Sequence, residues 1–182
     1  MHRLFVALRP PPAIRRQLAR TMAGVPGARW QDDDQLHLTL RFIGAVDRPV
    51  AEDVAAALAQ VRAAAPEVSL AGVGAFDHKG RTDAIWAGVA PHEALAALHR
   101  KVNHALVRVG LEPERRAYLP HITLARLPRR AAAEAPVARF LADHAALTSE
   151  PFALDHLILF ESHLGHEAAR YEPIMRWPLG IL

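Results

Sequence analysis

The sequence of 182 residues contains no cysteine. Disulfide frameworks, thiolate catalysis, cysteine-ligated iron–sulfur clusters and cysteine-based zinc sites are therefore excluded. The sequence also lacks an apolar run of about 18 residues, the length that a helix needs to cross a membrane. The apolar stretch at residues 4–8 is too short for the central region of a secretory signal. We therefore expect a cytoplasmic protein.

Lysine is nearly absent, since 20 of the 22 basic residues are arginine. The planar guanidinium group matches two phosphate oxygens at once. A chain rich in alanine and arginine is, however, also typical of a GC-rich genome. The net charge of +3 and the mean hydropathy of +0.03 fit a folded, soluble protein. Charge alone does not establish a nucleic-acid ligand.

The hydrophobic pattern predicts alternating strands and helices. Short apolar runs or period-2 alternation predict strands at 3–8, 35–44, 68–76, 84–90, 121–126, 152–162 and 170–179. Helical spacing between proline and glycine signals predicts helices at 13–24, 49–64, 91–110 and, in broken form, 131–147. Pro173 indicates an edge strand or a bulge. This order predicts the α+β class with largely antiparallel sheets, undivided by a linker.

One tetrapeptide pattern occurs twice. The segments His37-Leu38-Thr39-Leu40 and His121-Ile122-Thr123-Leu124 both read histidine, apolar residue, threonine, leucine, and they begin 84 residues apart. They contain two of only five threonines in the chain, and no other histidine is followed two places on by serine or threonine. A matched pair of this kind is a specific signal.

The pleat of a strand gives this pattern a chemical meaning. Residues i and i+2 point to the same face, so each histidine lies beside its own threonine, while the apolar residues anchor the strand from the other face. If a pseudo-two-fold axis relates the halves, the two pairs face each other across a cleft. Two imidazoles can act as general base and general acid, and two hydroxyls can bind a phosphate oxygen. The alternative is a pair of histidines that satisfy core hydrogen bonds at strand ends.

With these motifs the chain resembles the 2H phosphoesterases, specifically the bacterial and archaeal RNA 2′,3′-cyclic phosphodiesterases, also called 2′-5′ RNA ligases. The resemblance extends over nearly the whole chain. RLFVALRPP is similar to the family's opening strand, QLHLTLRFIG and LPHITLAR to its two H-x-T-x motifs, and residues 157–179 to its closing hairpin. Tyr118 stands where several relatives have phenylalanine, a change that keeps the ring.

The resemblance implies a single bilobal domain over residues 1–182. Each of its two pseudo-symmetric lobes would be an antiparallel sheet with outer helices, with the cleft between them. It implies an enzyme that hydrolyses an RNA 2′,3′-cyclic phosphate end, or a cyclic nucleotide, to a 2′-phosphate without metal or cofactor. Many relatives also join RNA ends through a 2′-5′ linkage. By analogy with relatives that release 2′-phosphates, His121 is the base and His37 the acid, while Thr39 and Thr123 bind the phosphate.

Two arginines follow the motifs. Arg126 has the opposite strand parity from the second histidine and threonine, so it reaches the site only if the strand ends or bulges at Ala125. The family resemblance favours a phosphate-binding role for Arg126 over a solvated strand-end position. Arg41 shares the parity of the first motif, so substrate contact and a position away from the cleft stay equally open.

Aromatic and histidine side chains provide further candidates. Tyr118, Trp30 and Phe42 could stack on a base, although each also suits the core or the rim. His163 and His166 lie in the closing turn, which either overhangs the cleft or forms a surface loop. Tyr118 is retained as a candidate substrate contact.

A metal-dependent hydrolase is the competing enzymatic hypothesis. His92, His99 and His104 lie on one predicted helix, but the H-E-x₅-H spacing does not place two ligands one turn apart as H-E-x-x-H does. The acidic run at residues 32–34 could bind a cation or form a solvated loop.

A non-catalytic hypothesis also stays open. An RNA-end-binding module would keep the fold and hold a phosphate without turnover, but hydroxyls and arginines would then suffice and two histidines would be superfluous. For either function we expect a monomer with no membrane partner.

Overall fold

The structure is a computed structural model that describes residues 1–128, 134–165 and 169–180. The strands in these ranges are β1 (His2–Leu8), β2 (Arg29–Trp30), β3 (Leu38–Val46), β4 (Glu67–His78), β5 (Arg81–Ala90), β6 (His121–Arg126), β7 (Phe152–Ala153), β8 (His156–Leu164) and β9 (Ala169–Pro178). The helices are α1 (Pro12–Ala19), α2 (Arg48–Leu58), α3 (Glu93–Arg108) and α4 (Glu134–Asp143), and a 3₁₀ turn spans Asp33–Gln35. Residues 131–133 of the broken helical stretch lie outside the described residues.

The helices begin close to the predicted positions but end earlier. The Asp47 carboxylate caps α2 by accepting a hydrogen bond from the backbone N–H of Val50 at 3.1 Å. The predicted helices 13–24 and 49–64 end instead at Ala19 and Leu58. Leu18 and Leu58 are the last buried residues of these helices, and the apolar residues that follow, such as Met22 and Val61, pack against the core from outside the helices.

The strands form one antiparallel sheet that consists of two halves. Its order is β7-β4-β5-β6-β3-β1-β8-β9, with β2 beside β6. The halves meet between β6 and β3 at a single residue pair, Leu38 and Ile122. The first half has the chain order β1, α1, β3, α2, and the second repeats it as β5, α3, β6, α4. The predicted α+β class with two pseudo-symmetric antiparallel lobes is confirmed.

The helices cover one face of the sheet. Leu38, Leu40, Ile122 and Leu124 are at most 2% exposed and belong to the main core, as the strand parity predicts. The helices contribute the buried residues Ile14, Leu18, Val54, Leu58, Leu95, Leu98, Val102, Leu106, Val137 and Phe140 to this core. A second, small cluster is formed by Phe5, Ala7, Ile158 and Phe160 on the strands of the first half. The motif histidine of that half packs on this second cluster.

The two edges of the sheet differ. β7 pairs only with Glu67 and Val68, so that most of β4 lies at one edge, whereas the other edge strand, β9, contains Pro173 and Pro178. The register between β8 and β9 shifts next to Pro173, so the predicted edge position and the predicted bulge both occur.

No helix in the described part of the chain is both long and apolar enough to span a bilayer.

Candidate active site

The two motifs meet where the halves of the sheet join. His37 immediately precedes β3, and His121 is the first residue of β6. Because Leu38 and Ile122 are paired, the residues on either side of them are brought together from both strands. His37, Thr39, His121 and Thr123 all line one cavity of about 720 Å³.

A backbone carbonyl orients each imidazole. His37 Nδ1–H donates to the carbonyl oxygen of Gln35 at 2.7 Å, and His121 Nδ1–H donates to that of Leu119 at 2.7 Å. A carbonyl oxygen can only accept, so Nδ1 carries the proton and Nε2 is the acceptor in each neutral ring. His37 Nε2 accepts a hydrogen bond from the Thr39 hydroxyl at 3.1 Å. Both motifs therefore use the carbonyl two residues before the histidine to direct Nε2 away from the backbone.

Aromatic rings support His37 from its own half of the sheet. Its ring centroid lies 5.0 Å from that of Phe5, 6.0 Å from that of Phe160 and 5.3 Å from that of Tyr171, which meets it edge-on. Phe5 and Phe160 stack on each other with centroids 5.1 Å apart. This support was not predicted from the sequence, because Phe160 and Tyr171 are distant from His37 in the chain.

Aromatic rings also support His121, again from its own half. Phe76 meets it edge-on at 4.8 Å, and Trp86 lies 6.0 Å away. Gly74 makes room for Trp86, because a Cβ at that position would lie 2.2 Å from the indole ring. The glycine therefore permits the close approach of the indole ring to β4.

Burial lowers the pKa of both histidines. For His37 the pKa falls from 6.5 to about 4, chiefly by desolvation, although the bond to the Gln35 carbonyl opposes this. The charges of Arg126, His121 and Arg9 lower the pKa of His37 further. Desolvation also lowers the pKa of His121, with the Leu119 carbonyl opposing and Arg126 adding to the effect. Both imidazoles are thus stabilised in the neutral form, and Arg126 is within electrostatic reach of both.

A bulge brings Arg126 to the cavity. Trp86 pairs with Thr123 but Ile85 pairs with Ala125, so Leu124 is an extra residue in β6. The sequence predicts that Arg126 reaches the site only if the strand ends or bulges at Ala125. The bulge in the structure is one residue earlier, at Leu124. The Arg126 side chain lines the cavity.

An equivalent bulge in β3 brings a different side chain to the cleft. The register with β1 shifts between Thr39 and Arg41, which makes Leu40 the extra residue. Phe42 therefore occupies the position on β3 that Arg126 occupies on β6. The Phe42 side chain lines the cavity and is 62% exposed, an unusual state for a phenylalanine.

Arg41 lines the cavity, but its guanidinium group is bonded to residues outside the cavity lining. It is only 7% exposed. One terminal nitrogen donates to Asn103 Oδ1 at 2.7 Å, and the other donates to the carbonyl oxygen of Glu112. Because the bulge at Leu40 breaks the parity used in the sequence analysis, the guanidinium group is tied to the connection between α3 and β6. A contact between Arg41 and substrate stays a prediction.

Tyr118 links that connection to the first motif. Its hydroxyl donates to the backbone carbonyl of Thr39 at 3.3 Å, and its ring stacks on His99 with centroids 4.2 Å apart. Burial raises the pKa of Tyr118, so its hydroxyl stays protonated. The ring lines the cavity, but one face is covered by His99, and a substrate contact of Tyr118 also stays a prediction.

The acidic run before β3 is engaged in ion pairs. Asp33 Oδ1 accepts from Arg15 Nε at 2.9 Å, and Asp34 Oδ1 accepts from Arg9 at 2.9 Å. The hydrogen bond with Arg15 lowers the pKa of Asp33. The backbone N–H of Asp32 donates to the Gln35 side chain at 2.9 Å. These contacts fix the turn whose carbonyl orients His37.

The histidines of the metal hypothesis do not converge. His92 bonds to the carbonyl of Val89 at 2.7 Å, His99 stacks on Tyr118, and His104 lines a separate groove between α2 and α3. Across residues 1–128, 134–165 and 169–180, no group of three histidine or acidic side chains is placed to hold a metal ion.

The other aromatic and histidine candidates have separate positions. Trp30 packs on Phe140 with centroids 5.5 Å apart and belongs to the edge of the core. His163 bonds to Glu172 at 3.1 Å on the closing hairpin, and His166 lies outside the described residues. Ser162, Leu164, Ala169 and Tyr171 of that hairpin line the cavity, so the hairpin borders the cleft.

The arrangement suits acid–base chemistry on a phosphate ester. Two imidazole Nε2 atoms and two hydroxyls surround one space, with a guanidinium group towards β6 and an exposed aromatic ring on β3. A phosphate between them would meet hydrogen-bond donors, a positive charge, a proton acceptor and, after protonation of one ring, a proton donor.

Comparisons with known proteins agree with this chemistry. Residues 10–166 match the sequence model of the 2′-5′ RNA ligase superfamily. A protein of Aeropyrum pernix named RNA 2′,3′-cyclic phosphodiesterase is 36% identical over 115 residues, or 63% of this chain and 64% of that protein. One of Geobacillus stearothermophilus with the same name is 30% identical over 171 residues, or 92% of this chain and 52% of that protein. The chain thus spans less than two thirds of the length of these relatives.

The fold is also similar to that of solved structures. A crystal structure of LigT from Escherichia coli in complex with 3′-AMP superimposes with a TM-score of 0.75 and 26% identity, covering 98% of both chains. The similarity in fold therefore extends over both halves of the sheet and the cleft between them.

Proposed function

We propose that this chain, which belongs to the 2′-5′ RNA ligase superfamily, is an enzyme that hydrolyses 2′,3′-cyclic phosphate ends of RNA to 2′-phosphates. The observation that carries the proposal is the matched orientation of two imidazoles. His37 and His121 both have Nδ1 bound to a carbonyl and line one cavity with two threonines. A core role would not require two imidazoles of the same tautomer and two threonines around one shared cavity. The names of the A. pernix and G. stearothermophilus relatives support the same activity.

The difference between Phe42 and Arg126 suggests how the substrate lies. The nucleobase would stack on Phe42, which places the ribose towards β3 and His37. The phosphate would face Arg126, which places the attacking water towards His121. This supports the assignment of His121 as general base and His37 as general acid.

The reaction is then an in-line displacement at phosphorus. His121 Nε2 takes a proton from water as the water oxygen bonds to phosphorus, and the bond from phosphorus to the ribose 3′-oxygen breaks. Protonated His37 gives its proton to that oxygen, which leaves a 3′-hydroxyl and a 2′-phosphate. Once His37 Nε2 is protonated it no longer accepts from the Thr39 hydroxyl, so Thr39 and Thr123 can both donate hydrogen bonds to the non-bridging oxygens. Arg126 offsets the charge that develops on these oxygens. A 5′-hydroxyl in place of water would form a 2′-5′ linkage.

His37 needs a proton before it can act as the acid. Its low pKa keeps it neutral in the free protein at neutral pH. The anionic phosphate bound beside it would raise this pKa and favour protonation. Substrate binding and proton uptake are therefore coupled in the proposed mechanism.

The test uses a short RNA with a 2′,3′-cyclic phosphate, in excess EDTA and without ATP, with phosphorus NMR to identify the product. We expect a 2′-phosphate, and at least a hundredfold loss of turnover in His37→Ala and in His121→Ala. A 3′-phosphate product would reverse the proposed substrate orientation. Activity that requires an added divalent ion would contradict the metal-free mechanism.

The alternative is an RNA-end-binding module. It predicts that the unsubstituted protein binds the cyclic end without turnover and that both alanine variants bind equally well. Turnover by the unsubstituted protein, with binding retained in the variants that lose it, would exclude this alternative.

We further propose that the protein is a cytoplasmic monomer. One edge strand of the sheet, β9, carries two prolines and the charged residues Arg170, Glu172 and Arg176. Such an edge opposes pairing with a second sheet. Light scattering coupled to size-exclusion chromatography should give a mass close to 20.0 kDa.

A further inference from the structure

One cationic side chain at the cavity has no role in the chemistry described above. Arg3 is exposed and lines the cavity. On β1 it lies two residues before Phe5, which contacts both His37 and Phe42. Residues two apart on a strand share a face, so Arg3 extends the row of side chains that faces the cleft.

The strand register places Arg3 beyond the ring of Phe42. Ala7 pairs with Thr39, Phe5 with Phe42, and Arg3 with Ala45. The order along the cleft is therefore the first motif, then Phe42, then Arg3. Ala7, which marks the level of the first motif, and Arg3 are four residues apart, or about 13 Å of strand. The long Arg3 side chain must therefore reach back along the cleft to meet a phosphate one nucleotide from the motif.

The charge of Arg3 is available to a ligand. Within the described residues Arg3 has no ion pair with an acidic side chain, whereas the Glu161 carboxylate on the adjacent strand accepts from His2 at 3.0 Å. The described cavity lining contains four arginines and one acid, Glu114. The lining of the cleft as a whole therefore carries a net positive charge that favours an anion.

We propose that Arg3 binds the phosphodiester that precedes the terminal nucleotide, so that the cleft recognises an RNA chain end in preference to a cyclic mononucleotide. This rests on the proposed function. A base on Phe42 has the cyclic phosphate on its motif side, and the 5′-phosphate of the same nucleotide leaves towards Arg3. A cyclic mononucleotide has no phosphate at that position and cannot use this contact.

The test compares kcat/KM for a cyclic mononucleotide and for a dinucleotide with the same cyclic end, at low salt. The quantity measured is the ratio of kcat/KM for the dinucleotide to kcat/KM for the mononucleotide. We expect this ratio to be above one in the unsubstituted protein and about five- to tenfold lower in Arg3→Ala. Arg3→Lys should retain part of the ratio, because it keeps the charge but not the fork of donors. The matched control is Arg139→Ala on α4, where the side chain is 84% exposed and pairs with Asp143.

A neutral internal linkage isolates the electrostatic part. In a dinucleotide with a methylphosphonate linkage the ratio should fall in the unsubstituted protein, and Arg3→Ala should lower it no further. An unchanged ratio in Arg3→Ala would overturn the proposal. It would also be overturned if Arg3→Ala lowered the ratio as much for the dinucleotide with the neutral linkage as for the one with the natural linkage. Arg116, in the connection between α3 and β6, also lines the cavity. A lower ratio in Arg116→Ala, with an unchanged ratio in Arg3→Ala, would assign the phosphate to that connection and overturn the proposal too. Failure of the unsubstituted protein to hydrolyse either substrate would instead contradict the proposed function.

Discussion

The two motif strands share a backbone plan and differ in one side chain. Each directs a histidine and a threonine into the cleft, and each then contains a bulge, at Leu40 in β3 and at Leu124 in β6. Five residues after each histidine, the side chain that lines the cavity is Phe42 on β3 and Arg126 on β6. The repeated backbone thus presents an apolar ring on one side and a positive charge on the other.

This difference explains how a symmetric pair of imidazoles can perform an asymmetric reaction. The acid and the base must be distinguished by the way the substrate lies, because both rings have the same tautomer and both have a lowered pKa. A ring that stacks on a base and a cation that attracts a phosphate together favour one orientation. Substitution of the cation and substitution of the ring should therefore affect the reaction differently.

Loss of the cation should have the largest effect. In Arg126→Ala we expect kcat to fall roughly a hundredfold or more, because the charge stabilises oxygens that become more negative in the transition state. Arg126 also lowers the pKa of both His37 and His121. Steady-state kinetics should therefore be combined with NMR titration of the two imidazoles, whose pKa values should both rise in the variant. A change confined to KM, with both pKa values unchanged, would contradict this role.

The two histidines should also make stability depend on pH. The pKa of His37 is lower in the folded protein, about 4, than its ordinary value of 6.5. The unfolded chain therefore binds more protons between these values, and the free energy of unfolding should rise as pH increases from about 4 to 6.5. The full contribution of His37 is at most on the order of 3 kcal/mol at neutral pH, and it is lost as pH falls through that window.

Urea denaturation at several pH values measures this slope. His37→Gln should flatten it, since glutamine does not titrate, and His121→Gln should flatten it in the same direction because the pKa of His121 is also lowered. Equal slopes in His37→Gln and in the unsubstituted protein would show that the histidine is not desolvated.

Loss of the ring should have a smaller effect, mainly on binding. In Phe42→Ala we expect KM to rise about tenfold with little change in kcat, because base stacking contributes about 1–3 kcal/mol. Phe42→Trp is the matched control, since it keeps an aromatic face. The loss should depend on the base, so ribose 2′,3′-cyclic phosphate should show less of it than a cyclic nucleotide. An equal loss with both substrates would remove Phe42 from base recognition.

The sequence predicts the parts of this site that follow from local periodicity. The parity of the motifs correctly predicts that Leu38, Leu40, Ile122 and Leu124 are buried behind the cleft. Parity fails beyond the bulges, because an extra residue in a strand depends on pairing with a distant strand. For that reason Arg41 shares the parity of the first motif in the sequence, although its guanidinium group bonds to Asn103 and the Glu112 carbonyl.

The rings beneath the histidines were missed for a related reason. His37 packs on Phe160 and Tyr171, which lie more than a hundred residues away in the chain. Which aromatic residue supports which histidine follows from the order and register of the strands. No local pattern determines that order. The site was therefore predictable as a set of reactive groups, and its aromatic support was not.

Loss of the Tyr118 hydroxyl should have the smallest effect on activity, because the ring that connects the two sides of the cleft stays in place. Its hydroxyl donates to the Thr39 carbonyl, and the next residue, Leu119, supplies the carbonyl that orients His121. Tyr118→Phe removes only the 3.3 Å bond and keeps the stack on His99. We expect kcat/KM to change less than about threefold and the free energy of unfolding to fall by about 1 kcal/mol or less.

Tyr118→Ala separates the ring from the hydroxyl. It removes the stack on His99 as well, so the free energy of unfolding should fall by about 3 kcal/mol or more, and kcat should fall with it because the acceptor of His121 is no longer held. Denaturant unfolding and kinetics on both variants measure the two contributions. If Tyr118→Phe lowered kcat and the free energy of unfolding as much as Tyr118→Ala, the hydroxyl and not the ring would hold the two motifs in position. The two sides of the cleft would then depend on a single hydrogen bond.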